Sequence, residues 1–273
     1  MNSVLCIAAT DSSGGAGIAA DIKSVVACGS HPLLAITAIT AQNSMRVSCV
    51  EESDSLEEQL KVIQEDFLPQ AAKIGMLCNE RNVDIVLRFL EKEVELGRVY
   101  PVVLDPVMVS STGRTLLSKE GIDLLKKELA PRVSLITPNR NEMRVLLGHN
   151  AQDEEANEAQ KQEKDCRLLH ETLGIPVLLK GGHYKGEQAL DVYYDGKLFK
   201  KYTNPRSIRR NTHGTGCCLS ATIAAYLAKD LSIDEAITRG KEDISRAIME
   251  SYTMGQGEGP VDPILWRIKE SGL

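Results

Sequence analysis

The stretch SVLCIAATDSSGGAGIAADIKSVVAC, residues 3–28, changes its period half-way. Residues 3–10 form a near-continuous apolar run of strand length, whereas Ile18, Ile22, Val25 and Val26 recur at helical spacing within 15–28. An apolar run without alternation reads as a strand covered on both faces. The unit is therefore strand, glycine-rich loop, helix.

The same unit returns along the chain. PLLAITAIT (32–40), AAKIGML (71–77), YPVVLDPV (100–107), RVSLIT (132–137) and IPVLLK (175–180) are further strand candidates. Helices are predicted over 56–66, 80–96, 119–128, 139–147 and 155–173. Strands alternating with helices imply parallel neighbours joined by right-handed crossovers. The expected fold is a three-layer α/β/α sandwich, doubly wound or closely related, with helices on both faces of a mostly parallel sheet and one domain over residues 1–273. ALDVYYDGKLFKKY (189–202) breaks the rhythm: two β-rich segments flank Asp195-Gly196, a hairpin signal expected at a sheet edge. QDEEANEAQKQEKD (152–165) reads as the solvated start of a surface helix.

Composition excludes several functions. A net charge of -6 and a pI near 5.5, with no Lys/Arg stripe, argue against nucleic acid as a partner. The first residues lack a basic leader and no run of 18 apolar residues occurs, so a soluble cytoplasmic protein with no membrane partner is expected. Seven cysteines without a CxxC pair or zinc spacing read mostly as small core residues, Cys6 among them.

In open parallel sheets ligands bind beyond the carboxyl ends of strands. Those ends read TDSSGGAGIAAD, AQNS, GMLC, DPVMVSSTG, TPNRNE and KGGH. Each alone is ordinary turn chemistry, but six together point to a site. Gly15-Ala16-Gly17-Ile18-Ala19-Ala20 fits a relaxed GxGxxA dinucleotide pattern, yet the second strand ends in Ala41-Gln42-Asn43 with no acid for a ribose, and no Walker A loop exists. RNTHGTGCCLSATIAAYLA (210–228) opens a helix through Gly214 and Gly216. Two readings compete there. Bare glycines let backbone N–H groups reach an anion at the positive end of the helix, or they merely turn the chain while Thr212 or Thr215 caps it. Cys217 favours the phosphate cradle, because a thiol in the first turn is expected to ionise below its usual pKa of about 8.5 and to accept a proton from an attacking hydroxyl. Cys218 points about 100° away and is expected in the core beside Leu219 and Ile223.

HGTGC at the helix start, TDSSGGAGIAAD, Ala41-Gln42-Asn43, Lys73-Ile74-Gly75-Met76, Asp105-Pro106-Val107-Met108, Thr137-Pro138-Asn139 with Glu142, Lys180-Gly181-Gly182-His183 and the late Gly257–Val261 segment occur in this order. Together they resemble the hydroxymethylpyrimidine and phosphomethylpyrimidine kinases of thiamin biosynthesis, members of the ribokinase-like fold. The resemblance implies that Gly214, Gly216 and the Cys217 N–H hold the γ-phosphate, with Cys217 as base. It implies that Asp21 and Gln42 recognise the aminopyrimidine, with Ala9, Thr40, Met76 and Val107 as walls. Lys180, Asn139, Thr215 and Asp105 would lie on the ATP side, and Glu142 would hold Mg²⁺ through water. ATP and Mg²⁺ are the implied cofactors and a homodimer the implied assembly. His213 reads as a helix-start hydrogen bonder. The sequence departs from the family at Ser12, where proline is common, at Cys218 and at Asp262, while Arg140 bears on nucleotide preference. Close relatives phosphorylate pyridoxal or pyridoxine through the same cysteine, so a B6 kinase is the alternative, and a pyrimidine-binding sensor is the non-enzyme one.

Overall fold

In the computed structural model, which describes residues 1–109, 113, 115–148, 158–182, 188–205 and 211–271, the opening stretch forms strand β1 (Ser3–Ala8), a loop and helix α1 (Gly17–Ala27). Strand β2 (His31–Ile36) follows and pairs parallel with β1. The run PLLAITAIT is not one strand, contrary to expectation. It breaks at the buried Thr37, whose N–H donates to Ala8 (3.1 Å) and whose hydroxyl donates to the Met76 carbonyl (2.7 Å). Beyond the break, β3 (Ala38–Gln42) leaves the main sheet and pairs antiparallel with β4 (Val47–Glu52) as a separate ribbon.

The chain then returns to the other side of β1 with α2 (Leu56–Asp66) and β5 (Ala71–Ile74). Next come α3 (Glu80–Glu95), β6 (Val102–Leu104), α4 (Lys119–Leu124, continuing as a π-turn to Leu129), β7 (Leu135–Ile136), α5 (Arg140–Leu147), α6 (Glu158–Leu173) and β8 (Val177–Leu179). The hairpin expected around Asp195-Gly196 is β9 (Gln188–Tyr194) and β10 (Phe199–Pro205), antiparallel and at the sheet edge. Helices α7 (Thr215–Leu227), α8 (Ile233–Met249) and α9 (Pro263–Ser271) complete the described chain; α8 and α9 are additions to the sequence reading. Strand order is β10-β9-β8-β7-β6-β5-β1-β2, so the winding direction reverses at β1.

Side chains of β1 feed two cores. Leu5 and Ile7 pack with Ile74, Leu104 and residues of α2 to α6, while Val4, Cys6 and Ala8 pack with Val103, Leu135 and residues of α1, α7, α8 and α9. This is the three-layer sandwich that unbroken apolar strands imply. Helix α7 is apolar on nearly every side, and Cys218 through Leu227 are all buried, because α1 and α8 flank it on the sheet. Among the described residues no helix is long and apolar enough to cross a membrane. Residues 152–157 of the charged stretch, Ser110–Thr112 and His183 lie outside the described residues.

Candidate active site

A cleft opens at the carboxyl ends of β1, β5, β6, β7 and β8, where the winding reverses. The start of α7 forms one wall. Gly214, the residue before the helix, has φ +80°, and a Cβ there would lie 1.8 Å from the Gly15 carbonyl oxygen. Only glycine lets the start of α7 pack so tightly on the loop after β1. No side chain caps the helix: the Thr215 hydroxyl turns back to the Thr212 carbonyl (2.7 Å), and Thr212 donates to Glu258 (3.2 Å). The side-chain cap is thereby removed as a reading, and Gly214, Gly216 and Cys217 at the start of α7 line the cleft. A Cβ on Gly216 would stand 3.1 Å from Lys180 Nζ and 3.7 Å from Asp105 Oδ2, so the bare backbone there is part of the cleft surface.

Opposite the cradle, Lys180 Nζ donates to Asp105 Oδ1 (2.7 Å) and lies 3.9 Å from Glu142 Oε2. Burial opposes the lysine charge, but the two carboxylates outweigh it and hold Lys180 protonated. Ser220 ties Asp105 to α7 through a 3.3 Å bond to Oδ2. The motif that begins at Asn139 has a structural reason as well: it is a capping box, with the Asn139 side chain accepting from Asn141 and Glu142 N–H and Glu142 Oε2 accepting from Asn139 N–H (2.7 Å). Burial pushes the Glu142 carboxyl up to about 7, against the pull of Lys180, and Asp105 adds to the rise.

The far wall is carried by the ribbon. Thr40 donates to the Thr10 carbonyl (2.8 Å), and Gln42 exchanges backbone bonds with Ser12 Oγ (2.7 and 2.8 Å), which stitches β3 to the loop after β1. Ala9, Thr40, Gln42, Met76 and Val107 all line the cleft, as expected for acceptor walls.

Three expectations need correction. Asp21 does not reach the cleft: it is fully buried behind Lys73, which donates to both of its oxygens (2.8 and 2.9 Å). Burial raises the Asp21 carboxyl to about 6, and Lys73 restrains that rise, so the pair is ionic at neutral pH. Thr215 does not line the cleft either, because its hydroxyl is spent on Thr212. The Cys217 thiol also departs from the expected low pKa: burial pushes it up to about 11, with Lys73 as the largest opposing influence and the Gly17 N–H assisting. The helix start is there, but the desolvation of the partly buried thiol is larger.

The sequence reading missed Asp11. Its carboxylate accepts from Ser13 N–H and hydroxyl, from Gly15 and Ala16 N–H, and from His213 Nε2 (2.8 Å), which lies 3.3 Å from the Gln42 carboxamide. Burial alone would raise Asp11, but the bonds from His213 and Ser13 leave it below the usual range. Asp11 and His213 are distant in sequence, so no spacing signal links them.

The profile of the phosphomethylpyrimidine kinase family matches residues 11–262. The chain belongs to that family. The hydroxymethylpyrimidine/phosphomethylpyrimidine kinase of Aquifex aeolicus is 38% identical, covering 93% of this chain and 96% of its own. The thiamine biosynthesis bifunctional protein ThiED of Geobacter sulfurreducens is also 38% identical over 96% of this chain, which spans 52% of that longer relative. Among solved structures, an ADP complex of Bacillus subtilis pyridoxal kinase superposes with a TM-score of 0.86 at 31% identity, covering 98% of this chain and 99% of its own. A phosphomethylpyrimidine kinase from Clostridium difficile gives 0.76 at 34% identity, covering 91% and 100%. The fold is ribokinase-like and the protein is a phosphotransferase, as the family match and the superposed kinases show.

Proposed function

We propose that this kinase transfers the γ-phosphoryl group of ATP to the hydroxymethyl oxygen of 4-amino-5-hydroxymethyl-2-methylpyrimidine and, in a second binding event, to the resulting monophosphate. The observation that carries the reading is the single cleft in which the uncapped start of α7, the Lys180–Asp105–Glu142 group and the Ala9, Gln42, Met76 and Val107 wall face one another. An acceptor ring against that wall brings its hydroxymethyl group toward Cys217, while the N–H groups beside Gly216 and Cys217 receive phosphoryl oxygens. Catalysis is then mainly positioning and charge stabilisation.

Gln42 supplies the donor and acceptor that an aminopyrimidine edge needs, and its amide nitrogen lies 3.3 Å from the His213 Nε2 that bonds to Asp11. Cys217 receives the hydroxyl proton at Sγ. Lys180 neutralises the transferred group. Asp105 and Glu142, two carboxylate groups around one lysine, suit Mg²⁺ held through water and phosphate oxygens, and the ion would supply charge neutralisation there. A homodimer working in the cytoplasm belongs to the same reading, and sedimentation and fractionation check it.

ADP release by the purified protein with Mg·ATP and, in parallel, hydroxymethylpyrimidine, its monophosphate and pyridoxal tests the assignment. Turnover with both pyrimidines supports it. Turnover with pyridoxal alone would transfer the same cleft to B6 chemistry, a reading favoured by the high superposition on a pyridoxal kinase.

A further inference from the structure

The segment from Gly255 to Val261, rich in glycine, does not line the cleft, yet it packs against two of the elements that do. A Cβ on Gly255, where φ is +79°, would lie 2.5 Å from Ser44 Oγ, and one on Gly257 would lie 2.0 Å from the Ser44 carbonyl oxygen. The backbone of the segment therefore rests directly on the turn that joins β3 to β4, and the Gly257 N–H donates to Ser44 Oγ (3.1 Å). Two residues on, the partners change. The Gly259 N–H donates to Asn211 Oδ1 (3.1 Å), the His213 N–H donates to the Gly259 carbonyl (3.1 Å), and the Val261 N–H donates to the His213 carbonyl (3.1 Å). One strap of backbone thus touches the ribbon at one end and the approach to α7 at the other.

We propose that this strap positions the acceptor wall: Ser44 and Gly257 are positioning residues that fix the tip of the ribbon, and through it Gln42, relative to the start of α7. The inference rests on the kinase reading above. A two-stranded antiparallel ribbon is marginal on its own, and β3 and β4 pair with no strand of the main sheet. The base of the ribbon is anchored where Thr40 and Gln42 bond to the loop after β1, and the turn closed by the Asn43 N–H on the Arg46 carbonyl (3.0 Å) extends past those anchors. The pairing also shifts register between Ala41 and Gln42, so β3 bends just before the turn. Where the tip goes, the Gln42 carboxamide follows. His213 completes the link, because its backbone is bonded to the strap while its Nε2 lies 3.3 Å from the Gln42 amide nitrogen. Gly257 has no positive φ, so its position demands close approach to Ser44 and not an unusual backbone. Both residues are only half-buried, which sets this contact apart from core packing.

The test compares wild type with Gly257→Ala, whose methyl must push the tip away, and with Ser44→Ala, which removes the acceptor of the Gly257 N–H without adding atoms and serves if the first variant does not fold. Hydrogen exchange, read by mass spectrometry on peptides from the ribbon and from β1 and β5, is measured beside steady-state kinetics. In Gly257→Ala the ribbon amides should exchange about tenfold faster or more, with those of β1 and β5 unchanged. The acceptor KM should rise about tenfold while the KM for ATP stays within about twofold. Ser44→Ala should show the same split, with the acceptor KM up about fivefold for the loss of one hydrogen bond. Unchanged ribbon exchange overturns the proposal, and so does an equal rise in the two KM values. If the wild type turns over none of the three acceptors, the kinase reading fails instead, and the exchange arm still decides whether the strap holds the ribbon.

Discussion

Gly216→Ala separates the stability of α7 from its chemistry. The backbone at Gly216 is ordinary helix, without a positive φ, so alanine introduces no backbone strain. In a helix, alanine is favoured over glycine by up to about 1 kcal/mol, which raises Tm by roughly 2–4 °C at most in a domain of this size. The added methyl, however, stands 3.1 Å from Lys180 Nζ, a group held by its 2.7 Å bond to Asp105, and 3.7 Å from Asp105 Oδ2. It fills the space where a phosphoryl oxygen would meet the amides. Losing one such donor costs about 3–4 kcal/mol at the transition state, or roughly 100–1000-fold in kcat. Coupled ADP release gives the rate and a calorimetric melt gives the stability; the expected variant melts within a few degrees of wild type, the helix gain being offset by the Lys180 contact, and is nearly inactive. A kcat/KM within threefold of wild type would refute the cradle. Gly214→Ala is the contrast: with φ +80° and a Cβ 1.8 Å from the Gly15 oxygen, it should lower Tm outright.

Cys217→Ala should fold normally and lose at least about 100-fold in kcat, and a rate within a few-fold of wild type would remove the thiol as proton acceptor. Glu142 titrates near 7 and must be ionised to hold a cation, so the KM for Mg·ATP should fall about tenfold between pH 6 and 8, and Glu142→Gln should flatten that slope in the same assay. Asp21→Asn leaves the fully buried Lys73 charge unpaired and should cost about 3–5 kcal/mol in urea unfolding. Gln42→Ala, in contrast, should raise the pyrimidine KM far more than the ATP KM with little change in stability, and equal effects on both would place Gln42 outside the acceptor wall.

Most of the sandwich was legible because its signals are local. Leu5 and Ile7 against Val4 and Cys6 make an apolar run only when both faces are covered, and the glycines after β1 mark the turn. The β3–β4 ribbon was not legible. Thr37 interrupts an apolar run by hydrogen bonds to Ala8, Met76 and Ser53, which are long-range partners, and β4 is mostly exposed and has no clear alternation. In the site, Gly214, Gly216 and Cys217 were visible as a glycine-rich helix start, while Lys180 and Glu142 entered through the family resemblance; all five line the cleft. Asp21 was misplaced because helical spacing gives the face of α1 but not the lysine that β5 sets against it. The raised Cys217 pKa was hidden for a similar reason: a helix start is visible in sequence, while the enclosure of a side chain is a property of the packed cleft.

The ribbon has a consequence for how such enzymes diversify. Thr40 and Gln42 ride on β3, outside the main sheet, whereas the phosphate-side residues belong to strand ends and α7. On the proposed assignment, part of the acceptor wall therefore rides on a unit apart from the main sheet, while Ala9, Met76 and Val107 stay at its strand ends. Changes confined to the ribbon would then alter the fit of the acceptor ring without touching either core or the start of α7.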